Sequence, residues 1–164
     1  MTHKILIALA LAASAFGASA QVTGNVQVTA SVAAACQVIT TNAMNFGVYS
    51  PLSGAAVDAT GSVSVSCVRG SVPVLGLNTG VNASSGQRRM AVGGSFLNYD
   101  VYQPSSNAAD ADCAYTAAWG ATGLTGTAAP SLAARKYNIC GRIPASQDVP
   151  AGNYADTLVV TVTF

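Results

Sequence analysis

The last eleven residues, Tyr154 to Phe164, limit the possible folds more than any other stretch. Tyr154, Leu158, Val160, Val162 and Phe164 fall on alternate positions, with Asp156 the only polar member of that row. Ala155, Thr157, Thr161 and Thr163 occupy the other row, with Val159 the exception. Side chains of a strand point alternately to opposite faces, so this pattern predicts a strand with one buried face. Nothing follows Phe164 to cover the strand's open side. A long apolar margin left bare is an aggregation hazard unless something fills it.

A second stretch near the other end has the same period. Val22, Val26, Val28, Ala30 and Val32 alternate with Thr23, Asn25, Gln27, Thr29 and Ser31, and Gly24 is the one gap in the apolar row. Ala33 to Ala35 form a short hinge before Cys36. Upstream, His3 and Lys4, an apolar Ile5–Phe16 run and Ala18-Ser19-Ala20 form a secretory leader over residues 1–20 with an A-x-A cleavage pattern. The run is short and Ala-rich for a membrane span, which needs about 20 strongly apolar residues. The expected organisation is a leader over 1–20, a tethered strand and hinge over 21–35, and one domain over 36–164.

Four cysteines in an exported chain read as two disulfides. Three pairings of Cys36, Cys67, Cys113 and Cys140 are possible; Cys36–Cys67 and Cys113–Cys140, which join neighbouring segments, are favoured. Each closed loop would contribute about 3 to 4 kcal/mol on the chain-entropy model. A metal site is set aside, because there is no C-x-x-C and the only histidine lies in the leader.

Between these ends the chain reads as short strands and turns without a good amphipathic helix. Val63, Val65 and Cys67 alternate with Ser62, Ser64 and Ser66; Leu97, Tyr99 and Val101 share one face, with Phe96 and Tyr102 opposite. Tyr137, Ile139 and Ile143 share another face, and a short strand is expected near Tyr115 to Trp119. Val72 to Asn78 is a further candidate, in which Pro73 implies an edge or a bulge. Strands at this spacing predict an antiparallel β-sandwich.

Once the leader is removed, Arg69, Arg88, Arg89, Arg135, Lys136 and Arg142 balance six aspartates, and no glutamate or histidine remains. A surface this poor in positive charge does not suit nucleic acid, but its low net charge favours self-association. There is no G-x-S-x-G and no phosphate-cradling glycine loop, so the chain reads as non-enzymatic. Asp110-Ala111-Asp112 is a weak calcium signal, and no cofactor is expected.

Several motifs in combination resemble the spore coat protein U domain. They are Cys36 with Asn45-Phe46-Gly47-x-Tyr49, Gly61-x-Val63-x-Val65-x-Cys67, Arg89-Met90, and Leu97-x-Tyr99-x-Val101-Tyr102. Trp119-Gly120, Gly141-Arg142-Ile143-Pro144-Ala145-x-Gln147 and Gly152-x-Tyr154-x-Asp156-Thr157 complete the set. The resemblance implies a subunit of an archaic (Csu-type) chaperone–usher pilus, secreted through the periplasm to the cell surface for adhesion and biofilm formation. The second cysteine pair and the Trp119 loop are similar to those of minor subunits.

The implied fold is an incomplete immunoglobulin-like sandwich completed by a donor strand. The implied partners are a periplasmic chaperone, an outer-membrane usher and other pilin subunits. Val22, Val26, Val28, Ala30 and Val32 would be the donor residues, and Leu158, Val160, Val162 and Phe164 part of the acceptor groove. The alternatives are a self-contained secreted binding module, taking carbohydrate through Tyr99, Tyr102 or Trp119, and a coat or matrix protein.

Overall fold

The computed structural model describes residues 20–164; the leader expected over 1–20 lies, but for Ala20, outside the described residues. The chain divides into two units between Ser31 and Val32. In the first, the described residues 20–31 form neither strand nor helix, and their apolar side chains are exposed.

The second unit is all-β. Its strands are β1 (Cys36–Asn42), β2 (Val57–Cys67), β3 (Val74–Leu77), β4 (Arg88–Val92), β5 (Ser95–Pro104), β6 (Cys113–Ala118), β7 (Leu124–Thr125), β8 (Arg135–Ile143) and β9 (Val160–Thr163). A single 3-10 turn, Pro51–Ser53, interrupts the loop before β2. One sheet runs β1-β2-β8-β5-β4, with β6 also on β5, and the other runs β7-β3-β9, every pairing antiparallel.

Alternation places the core. Val63, Val65 and Cys67 of β2, Leu97, Tyr99 and Val101 of β5, and Tyr137, Ile139 and Ile143 of β8 are all buried, as their spacing predicts. Cys36 is bonded to Cys67 and Cys113 to Cys140. The first bond ties β1 to β2 at residues that already pair in the ladder, and the second ties β6 to β8.

Two expectations need correction. Pro73 does not mark an edge: β3 is the middle strand of its sheet, and Pro73 sits just before it. The missing N–H therefore falls outside the ladder, while the Pro73 carbonyl accepts from Gly126 N at 2.8 Å. The terminal strand is also shorter than its alternation implies, since only Val160–Thr163 form a continuous ladder with β3. Tyr154 to Val159 keep the alternating exposure of a strand without a continuous partner.

Candidate functional site: an open margin between the two sheets

The sheets meet along two margins of very different character. At the first, Ala91 of β4 and Ala155 exchange both backbone hydrogen bonds, at 2.9 and 3.1 Å. On the side of β5 away from β4, just past the end of β8, the Gln147 side chain imitates a strand partner: its amide nitrogen donates to Asn98 O, and its amide oxygen accepts from Asn98 N. Asp156, the one polar interruption in the terminal row, is the anchor. Its Oδ1 accepts from the backbone N–H groups of Val81 and Asn82 and from the Asn82 side chain, and its Oδ2 accepts from Tyr99 Oη at 2.6 Å. Gly80, at φ +90, comes so close to this carboxylate that a Cβ would overlap it. Burial, reinforced by the hydrogen bond to Asp156, holds the Tyr99 phenol far above its ordinary value of 10.0. Asn82 Nδ2 also donates to Ala155 O, so its side chain is used on both the Asp156 carboxylate and the terminal segment's backbone.

At the second margin, β1 and β9 face each other, and among the described residues no ladder bond joins them. A trough runs along it as two adjoining cavities of about 710 and 750 Å³ that share Ala43, Met44, Phe46, Met90 and Tyr154. The first is walled by Val38 on one side and Leu158 and Val160 on the other, over a floor that includes Leu77 and Ile139. The second continues past Tyr154 to Leu97, Ile143 and Val149, and ends at Val48 and Pro51. The lining of the first cavity is mostly apolar and that of the second is mixed; Asp156 is the one carboxylate among the lining residues, and it is occupied by the bonds just described.

Met44 and Phe46, two residues apart, both point into the trough because Gly141 of β8 leaves room for them. Any Cβ at Gly141 would overlap Met44 Sδ and lie 2.7 Å from Phe46 Cζ.

Of the residues expected to form a groove, Leu158 and Val160 line the trough. Val162 is half-buried against the core, whereas Phe164 is exposed just beyond β9. The residues expected to form the other half of the contact, Val22, Val26, Val28, Ala30 and Val32, are exposed. Met44, Phe46, Met90, Ile139 and Tyr154 line the trough as well, and the i, i+2 spacing of Met44 and Phe46 is the sequence signal that points to the first two. Tyr99 and Trp119 are buried, so neither offers a ring face to a sugar. Tyr102 packs edge-on against Tyr115, with ring centroids 5.9 Å apart. Asp110 pairs with Lys136 at 3.0 Å.

The fold and the site together define an antiparallel β-sandwich whose two sheets leave a trough along one margin. The chain belongs to the Spore Coat Protein U domain family, whose pattern it matches over residues 22–161. It is 34% identical to Protein U of Myxococcus xanthus over 98% of this chain and 94% of that one. Its fold also matches a chain in the crystal structure of the CsuC–CsuE chaperone–tip adhesion subunit pre-assembly complex from archaic chaperone–usher Csu pili of Acinetobacter baumannii. That match has a TM-score of 0.51 and 25% identity, and covers 81% of this chain but only 40% of the other. Family and fold are those of structural proteins, not enzymes.

Proposed function

We propose that this chain is a pilus subunit of the archaic chaperone–usher type, exported through the periplasm and polymerised at the cell surface by donor-strand exchange. The observation that carries the reading is the open β1–β9 margin with its trough; the exposed apolar row of matching period at residues 22–32 supports it. A periplasmic chaperone would fill the trough first, an outer-membrane usher would oversee the exchange, and the arm of another subunit would replace the chaperone. The fold match to a chain of a chaperone–subunit complex supports the chaperone step. Surface adhesion and biofilm formation follow as the roles of such a fibre.

In this reading Val22, Val26, Val28, Ala30 and Val32 enter the trough, and Leu158, Val160, Val162 and Phe164 receive them. Main-chain pairing supplies affinity and the alternate side chains supply register. Burying each valine contributes about 1.5 to 3 kcal/mol, so several in series make dissociation slow. Gly24 leaves a shallow place in the row.

Val28→Asp tests the proposal. It places a charge in the trough while leaving the body untouched, so the chaperone-bound subunit should fold and fibres should vanish from electron micrographs. Normal fibres from this variant would defeat the assignment. A second reading, a coat or matrix protein, draws on the family's name and on the Protein U relative. Under that reading, secretion and assembly should be unchanged in cells lacking the chaperone.

A further inference from the structure

Val48 and Leu52 are 92% and 97% exposed, among the barest apolar side chains of the body. They lie on the loop that closes one end of the trough, where Val48 and Pro51 line the second cavity. At the opposite end of the body the chain enters β1 at Cys36, bonded to Cys67. Leu132, 68% exposed, is there too, because its carbonyl accepts from Ser66 Oγ at 2.7 Å and Arg69 Nε donates to Pro130 O at 2.9 Å. The eleven residues of β2 separate these two ends by about 33 Å, at roughly 3.3 Å per residue.

The geometry points to a second contact between copies: Val48 and Leu52 of one copy seat against the Leu132 loop of the copy whose arm fills its trough. This rests on the donor exchange proposed above. Only Ala33, Ala34 and Ala35 separate the arm from the body, a reach of about 10 Å when extended. The body of the donating copy, Cys36 end first, is therefore held against whichever end of the trough its arm leaves. That end is the Val48–Leu52 end. The Cys36 end is where the receiving copy's own arm departs for its other neighbour, and a chain grows head to tail only if successive contacts use different ends. The tether thus delivers Leu132 of one copy to the exposed aliphatic loop of the next, as a heterologous contact continuous with the trough.

Bismaleimide crosslinking of fibres carrying both Leu52→Cys and Leu132→Cys tests this. All four native cysteines are in disulfides, so only the introduced thiols react. The expected result is a ladder of covalent dimers, trimers and higher species after denaturation, with monomer alone from either single variant. Should the double variant fail to accumulate, fibres co-assembled from the two single variants should yield covalent dimers. Fibres that form but give no crosslink overturn this contact and leave donor exchange standing. Absence of fibres from the unsubstituted chain overturns both. Leu52→Ser supplies a second readout. In a Val28→Asp background it should leave binding of a 22–32 peptide unchanged, while in otherwise native fibres it should speed dissociation about tenfold. Unchanged fibre dissociation would count against the contact.

Discussion

The two margins of the sandwich differ in the residues that face across them, and they end differently. Where β4 meets the terminal segment, the Ala91–Ala155 pair and the Asp156 cluster take up backbone groups across the gap. Where β1 meets β9, apolar side chains face one another across space. Closing a margin therefore depends on polar groups placed to take up strand donors and acceptors more than on apolar content. The terminal segment belongs to both margins, since Asp156 anchors it on one side while Leu158 and Val160 face the trough on the other. Asp156 thus fixes the segment whose next residues line the trough.

Removing the disulfides separates the margins most sharply. Cys36→Ser/Cys67→Ser and Cys113→Ser/Cys140→Ser should each cost about 3 to 4 kcal/mol in urea unfolding, because their loops of 31 and 27 residues are similar. Only the first frees β1, so only the first should weaken binding of an arm peptide. Equal effects on binding would mean that β1 is not a wall of the groove.

Asp156→Ala follows, at about 2 to 3 kcal/mol, since several donors lose their acceptor together. The Tyr99 phenol in the same cluster is held protonated in the fold. Stability should therefore be complete below the phenol's ordinary value of 10.0 and fall as pH rises above it, and Tyr99→Phe should remove that part of the decline.

Leu158→Ala acts at the open margin. It should cost the empty subunit about 1 kcal/mol and the strand-filled subunit about 1 to 2 kcal/mol more, measured by unfolding with and without arm peptide. Equal losses in the two states would mean that the peptide does not cover Leu158.

The smallest effect belongs to Asp58, whose carboxylate takes both hydrogen bonds of the Arg142 fork at 2.6 and 2.7 Å. That hydrogen-bonded pairing lowers the Asp58 pKa below its ordinary 3.8. The stabilisation is present above pH 3.8 and lost as pH falls through the lowered value. With both side chains more than a third exposed, by about 35% and 37%, Asp58→Asn should cost less than about 1 kcal/mol near neutral pH.

Alternation alone identifies the all-β class and the buried faces of β2, β5 and β8, but not which strand pairs with which. A period of two assigns each side chain to a face whatever the partner strand is. It also marked the terminal row and the arm as apolar on one side. Three-dimensional packing decided the rest. Pro73 had to be seen one residue outside its strand, and Asp156 had to be seen meeting Val81, Asn82 and Tyr99, partners 57 to 75 residues away. Met44 and Phe46 enter the trough only because Gly141, on a distant strand, leaves them space. A strand's period states which side chains share a face. Whether that face is sealed depends on groups far apart along the chain, and folding alone brings those together.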